Sequence, residues 1–297
     1  MTDPTPRLLV TDLDNTVWDW FEAWYQSFSA LLDGLVEMSG VDRTVLEDQI
    51  RVVHRHRGTT EYSNLLREVP SLVAAAGTRD PAEVFNEALH AQNSRRKATT
   101  RLYAGVEEAL RSLKDAGVRI AAYTESGAYW TEWRIRQTGL DGIIDVLYSS
   151  PDHDAIAGVD VANLRTGHYG PDEYGLRVTK HLHVPHGVLK PNQEILQVIL
   201  DEQGCAPHEA VYLGDSLMKD IAMAQAAGVL DVHAAYGLVQ HREEYELLRR
   251  VTHWSEEDVE REKALADATG EVVPTRVCRE RLDEVLPLFG LSLERSR

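Results

Sequence analysis

Apolar residues recur along this chain in two rhythms. Leu8 to Thr11 is a short apolar run ending at Asp12, which predicts a buried strand feeding an acidic loop. From Trp18 to about Thr100 the rhythm is helical. FSALLDGLVEMSG (28–40), RTVLEDQIRVVHRH (43–56) and PAEVFNEALHAQNSRRKA (81–98) are long amphipathic runs, with Gly40, Gly58, Pro70 and Gly77 marking turns. Near Gly105 a strand–helix alternation resumes. GVEEALRSLKDAG (105–117) predicts a helix, VRIAAYT (118–124) a strand, 128–137 a helix and IIDVLYS (143–149) another strand. A helix over 192–203, a strand AVYLGD (210–215), a short helix DIAMAQAAG (220–228) and a strand over 229–234 follow. EVVP (271–274) predicts a last short strand, and 281–289 a last helix. The order βαβαβαβ around a helical insertion predicts an α/β fold: a mostly parallel sheet flanked by helices. Two stretches fit neither rhythm. Residues 150–187 are polar and rich in Gly, Asp and His, and residues 240–268 are strongly charged and predicted helical.

Composition narrows the function classes. The chain has 297 residues, long enough for one large or two unequal domains, and 43% of them are hydrophobic, which supplies a sizeable core. Asp and Glu number 48 against 31 Lys and Arg, a formal charge of −17. That balance argues against a nucleic-acid or anionic-membrane surface, while leaving room for a small anion in a locally positive pocket. No segment has the apolar length of a membrane helix, and the amino end lacks the apolar run of a secretory signal. The expected compartment is therefore cytoplasmic. Cys205 and Cys278 are too few for a disulfide framework or a cysteine-based zinc site.

The strand ends carry the chemistry. In the mostly parallel sheet, ligands sit beyond the carboxyl ends of the strands, which is where Asp12, Thr124 and Asp215 fall. Asp12 and Asp14, two apart in TDLDNT, address one small volume if the chain turns there. Carboxylates are hard ligands suited to Mg²⁺, and one of them can attack phosphorus. Thr124, Glu125 and Ser126 supply a hydroxyl and backbone amides for a phosphoryl oxygen, although Ser126 also suits a helix cap. Lys190 in GVLKPN can neutralise developing negative charge. Asp215 and Asp220 in GDSLMKD bring two more carboxylates, Asp220 serving equally as a helix cap.

In this order and placement the motifs resemble the haloacid dehalogenase-like hydrolase superfamily: Asp12-Leu13-Asp14-Asn15-Thr16, then Thr124, then Lys190, then Gly214-Asp215-Ser216 with Asp220. The resemblance implies a Rossmann-like core of residues 1–16 and 101–297 with a smaller all-helical cap over 17–100, and added segments at 150–187 and 240–268. It implies a Mg²⁺-dependent phosphatase acting on a small phosphorylated molecule. Asp12 would be the nucleophile and Asp14 the general acid–base. Asp12, the Asp14 carbonyl and Asp215 would hold the metal; Thr124, Glu125 and Lys190 would bind the phosphoryl group; Asp220 would support Lys190 or the metal's water shell. Asp14 favours phosphoester hydrolysis over dehalogenation, since a departing halide needs no acid. Lys97, the lone cap lysine, makes a Schiff-base phosphonate hydrolase unattractive. A phosphosugar mutase and a non-catalytic scaffold of the same fold are the alternatives.

Trp18, Trp20, Phe21, Trp24 and Tyr25 follow the nucleophile loop and are candidates for an apolar substrate wall, or equally for packing of the first cap helix. His54, Arg55, His56 and Arg57 meet either an anionic substrate or solvent. The histidines and aspartates of 150–187 have irregular spacing, and an exposed insertion near the site or at a dimer contact is the better expectation than a metal centre. Either a monomer or a homodimer fits.

Overall fold

The computed structural model describes residues 5–152, 175–185, 187–255, 257 and 272–292. Seven strands form one parallel sheet: β1 Leu8–Thr11, β2 Arg119–Gly127, β3 Val146–Ser150, β4 Lys180–His183, β5 Ala210–Gly214, β6 Leu230–Ala234 and β7 Arg276–Cys278, in the order β4-β3-β2-β1-β5-β6-β7. The central strands are buried on both faces, which is why they read as continuous apolar runs rather than as alternation. One face packs Leu9, Ile120, Val211 and Val232 among 25 buried residues; the other packs Leu8, Val10, Tyr123 and Tyr212. The chain leaves β1 in one direction through β2, β3 and β4, then crosses back to place β5 on the other side of β1. That reversal is the switch point at which such sheets leave a crevice.

Helices α1 (Trp20–Ser39), α2 (Arg43–Arg57), α3 (Leu65–Glu68), α4 (Pro70–Ala76), α5 (Pro81–Val84) and α6 (Asn86–Thr99) make the smaller helical cap. Local chemistry sets the ends of the first two. The Asp19 and Asp42 carboxylates accept amide hydrogens of Glu22 and Thr44, and Gly40 and Gly58 close the helices at φ 69° and 65°. The run over 81–98 is interrupted: Phe85 leaves helical geometry between α5 and α6, its ring buried in the cap core. The two linkers between cap and sheet run side by side, with Trp18 bridged to Leu102 and the Tyr103 amide donating to the Val17 carbonyl at 3.0 Å.

The sheet is flanked by α7 (Val106–Asp115), α8 (Ala128–Gln137), α9 (Gln193–Glu202) and α10 (Ala222–Ala226). Two differences from the sequence expectation stand out. Lys180–His183, inside the polar 150–187 stretch, is an edge strand; its polar alternation hid it. The last strand begins at Arg276 rather than within 271–274, because the Asp231 carboxylate takes the amide and hydroxyl of Thr275 and aligns the chain with β6 only beyond that point. Of the charged stretch 240–268, residues 245–251 form α11 (Tyr245–Val251). It does not lie loose. Tyr245, Leu247, Leu248 and Val251 join the apolar core of the cap, and Val251 accepts a hydrogen bond from His54 Nδ1 at 2.7 Å. A segment that follows β6 thus straps the cap. His153, His168 and His186, with Asp154, Asp160 and Asp172, lie outside the described residues.

Candidate active site

The four strand-end motifs meet at the switch point. The Asp12 amide donates to the Leu213 carbonyl at 2.8 Å, fixing the end of β1 against β5. The chain then turns through Asn15, whose φ of 59° is a left-handed value that Asn tolerates better than most residues. Its side-chain oxygen accepts from the Phe21 amide at 3.0 Å and so holds the entry into α1. Gly237 lies against this turn so closely that a Cβ would sit 1.8 Å from the Asn15 carbonyl oxygen.

Lys190 Nζ donates to Asp12 Oδ1 at 2.6 Å and to Asp220 Oδ1 at 2.8 Å. The Tyr212 hydroxyl donates to Asp220 Oδ1 at 2.9 Å and the Ser216 amide to Asp220 Oδ2 at 3.1 Å. Gly214 is required here, since a Cβ at that position would meet the Asp220 carboxylate carbon at 2.4 Å. Thr16 Oγ1 donates to Asp12 Oδ2 at 3.2 Å. Burial works against the charge of Lys190, but Asp12 and Asp220 outweigh it and hold the lysine firmly protonated.

Asp12, Asp215 and Asp220 each offer a carboxylate oxygen within 4.8 Å of the others, an acidic cluster able to coordinate a metal. The charge balance tests that fit. Burial, with Asp220 and Asp14 nearby, pushes Asp12 up to about 7 despite Lys190; burial and then Asp12 drive Asp215 well above the usual carboxylate range. Three carboxylates share one lysine, a surplus of negative charge that fits a hard divalent cation. Asp220 accepts three hydrogen bonds, two of them on Oδ1, whereas each Asp12 oxygen accepts one and keeps a lone pair, so the more open coordinating oxygens belong to Asp12 and Asp215.

The Asp14 carboxylate stands outside that cluster. Trp18 Nε1 donates to its Oδ1 at 2.6 Å, Ser126 Oγ donates to its Oδ2, and Arg134 Nη1 lies 3.8 Å away. A metal contact from Asp14 would therefore come from its main-chain carbonyl. Thr124 is buried at the end of β2, where its hydroxyl accepts from the Ser126 amide at 3.1 Å. The Glu125 carboxylate accepts from the Lys190 amide at 2.6 Å and from Lys219 Nζ at 2.6 Å, so its side chain serves to brace Lys190.

The expected aromatic wall divides. Trp18 is buried against the sheet and Phe21 in the cap core, whereas Trp24 lines a cap cavity of about 250 Å³. His54 is buried in the cap core rather than solvated. Four participants escaped the sequence reading: Trp18 as a donor to Asp14, Ser126 as another, Arg134 and Tyr212. Arg134 is buried on α8 and pairs with Glu61 of the cap, which also accepts from Trp20 Nε1 at 3.2 Å. Ser126 and Arg134 act across elements distant in the chain, while Trp18 and Tyr212 lie close in sequence to Asp14 and Asp220 but at spacings that form no recognisable motif.

A sheet with this order, an inserted helical cap and an acidic cluster at the switch point define a haloacid dehalogenase-like α/β hydrolase. The sequence matches the haloacid dehalogenase-like hydrolase family over residues 6–228, and the chain belongs to that family. Among solved structures it is similar to a 2-haloacid dehalogenase from Pseudomonas syringae pv. Tomato DC3000, at 18% identity and a TM-score of 0.57 over 96% of this chain and 98% of that one. It is also similar to a putative HAD-hydrolase from Bacillus subtilis, solved bound to magnesium, at 15% identity and a TM-score of 0.51 over 97% and 100%. No curated protein matches the sequence. Among the described residues no helix is long and apolar enough to cross a membrane.

Proposed function

We propose that the chain is a Mg²⁺-dependent phosphomonoester hydrolase that acts on a small phosphorylated molecule through an aspartyl-phosphate on Asp12. The observation that carries this reading is the division of labour between two neighbouring carboxylates: Asp12 faces Lys190 and the acidic cluster, while Asp14 is turned away and held by Trp18 and Ser126.

Asp12 attacks phosphorus as the bond to the leaving oxygen breaks, and Asp14 delivers its proton to that oxygen. Asp14, now a carboxylate, takes a proton from water. The water attacks the phosphoryl group, releasing phosphate and restoring Asp12. Lys190 and the Thr124–Ser126 turn bind the phosphoryl oxygens, with Glu125 and Asp220 bracing the lysine. When bound by Asp12, the Asp14 carbonyl and Asp215, the metal supplies charge neutralisation for the incoming phosphate. The cap, assigned to 17–100 between core segments 1–16 and 101–297, shields this chemistry from bulk water.

A dehalogenase needs no proton donor two residues after its nucleophile, and the triply held Asp14 argues against that activity despite the likeness to a dehalogenase fold. A panel of small phosphomonoesters with Mg²⁺, and Asp12→Asn as control, tests the proposal. Turnover lost on chelation and in the variant is expected. No turnover of any ester, or equal turnover by the variant, overturns it.

A further inference from the structure

The cap cavity has a mixed lining: apolar Phe28 and Leu66, the indoles of Trp24 and Trp130, polar residues including Glu61, and one cation, Arg96. Arg96 is 8% exposed and Trp24 4% exposed. Burying a guanidinium is costly unless it is paired, yet among the described residues no carboxylate bonds to Arg96. Its Nη1 donates to the Asn93 side-chain oxygen at 3.1 Å, and its planar head lies 3.9 Å from the centre of the Trp130 ring. Glu61 is near enough to favour the charge, but its carboxylate is taken by Arg134 and Trp20. A second donor in the same wall, Trp24 Nε1, has no acceptor among the described residues. The cavity therefore presents two buried donors with unspent capacity, one of them charged, among aromatic, aliphatic and neutral polar side chains, with the Glu61 carboxylate engaged elsewhere.

Its position links it to the catalytic turn. Tyr129 and Trp130 form one wall and stand in the first turn of α8, which follows directly on the end of β2 that carries Thr124–Ser126. Trp130 Nε1 donates to the Glu61 carbonyl at 3.1 Å, tying that wall to the cap loop.

The geometry points to a leaving-group pocket for a planar organic carboxylate: the phosphate ester carries, on the side away from phosphorus, a flat apolar group ending in a carboxylate that Arg96 and Trp24 Nε1 bind. One guanidinium matches one carboxylate charge and presents a planar fork to it; a second phosphate would bring nearly two charges against one. The flat group stacks among Trp24, Trp130 and Phe28. This rests on the phosphomonoesterase reading above and adds the class of substrate to it.

The test compares 4-carboxyphenyl phosphate with its near-isosteric neutral amide, 4-carbamoylphenyl phosphate. A charge-assisted hydrogen bond predicts that kcat/KM for the acid exceeds that for the amide by about 10-fold to 100-fold. Arg96→Met should bring that ratio to about 1. Trp24→Phe keeps the ring, removes one donor and should lower the ratio by roughly 3-fold, so it decides the matter should the Arg96 variant fail to fold. A ratio near 1 in the wild type, or one untouched by both variants, overturns the pocket. Benzoate and benzamide, titrated against tryptophan fluorescence, give a readout that needs no turnover. Benzoate binding more tightly than benzamide, with the advantage lost in Arg96→Met, supports the pocket; equal binding overturns it. If no phosphate ester is hydrolysed, the proposed chemistry falls while the titration still decides the pocket.

Discussion

The sheet end and the cap cavity are built to opposite designs. At the sheet end, charge is crowded: three carboxylates with oxygens within 4.8 Å of one another, two of them hydrogen-bonded to one lysine, anchored by main-chain geometry that Gly214 and Asn15 make available. In the cap cavity, apolar and neutral polar side chains share the lining, and among the described residues a single cation, Arg96, is held by an amide oxygen and an indole face. The first arrangement rests on strands whose ends cannot shift without breaking the sheet. The second is assembled from α1, α6, α8 and the loop around Glu61, and changes with any of them. The difference teaches where each property resides in the proposed reaction: the sheet end supplies its chemistry, and the cap selects what is presented to it.

The sharpest way to break that contrast is to remove the nucleophile. Asp12→Asn should lower kcat on the order of 10³-fold or more for every ester, with the ranking among esters lost in the background. Unfolding should be little changed or even harder, because one buried carboxylate leaves a cluster crowded with them. Rapid-quench kinetics beside a denaturation curve checks both halves. Full activity in the variant would remove Asp12 from the reaction.

Next in size is the acid. Asp14→Asn keeps the hydrogen-bond partners Trp18 and Ser126 nearly the same shape but cannot carry the proton, so kcat should fall about 10²-fold to 10³-fold. The loss should be larger for alkyl phosphates, whose leaving oxygen is basic, than for 4-nitrophenyl phosphate, whose leaving oxygen needs little help. Equal losses for the two would show that Asp14 is not the proton donor.

These two residues were legible in the sequence, and the reason is local. Asp12, Thr124 and Asp215 sit where apolar runs stop, so strand periodicity alone delivers them to one edge of the sheet, and Lys190 and Asp220 follow by resemblance. Trp18 was visible as part of an aromatic cluster, but not as the donor that holds Asp14, because the linker bridge from Trp18 to Leu102 joins residues far apart in the chain. Arg96 and Trp24 had no reading as a pair for the same cause: they meet only when α1 packs on α6. Lys180–His183 was missed as a strand because an edge strand exposes polar side chains. The division of the charged 240–268 stretch was hidden too. Its apolar positions, Tyr245, Leu247, Leu248 and Val251, are spaced to cover another element, and the sequence does not say which.

That strap extends the comparison to stability. His54, fully buried in the cap, donates through Nδ1 to the Val251 carbonyl of α11, and burial lowers its pKa from 6.5 to about 4. The unfolded chain therefore binds this proton more readily than the folded one between those values. The stabilisation from a neutral His54 is complete above about pH 6.5 and is lost as pH falls toward 4, about 2 kcal/mol of it by pH 5. Urea unfolding at pH 7 and pH 5 measures the drop, and His54→Gln should flatten the part due to this residue. Hydrogen exchange should place the loosening in the cap and α11, while the strands of the sheet keep their protection.

The smallest effect belongs to the other end of the strap. Arg242 pairs with Asp19 at 3.0 Å and Glu22 at 3.4 Å, and its head lies 5.6 Å from the Phe21 ring centre. Asp19 caps α1, so the pair ties the strap to the first turn of the cap just after the nucleophile loop. The ions keep contact with water, and a partly exposed pair contributes only about 0–1 kcal/mol. Arg242→Met, which keeps the apolar stem over Phe21, should cost no more than about 1 kcal/mol, and high salt should erase most of the difference. A larger loss that persists in high salt would mean that the strap holds the cap by charge rather than by the apolar contacts of Tyr245, Leu248 and Val251. The contrast between a charged sheet end and an apolar cap would then fail at the joint between them.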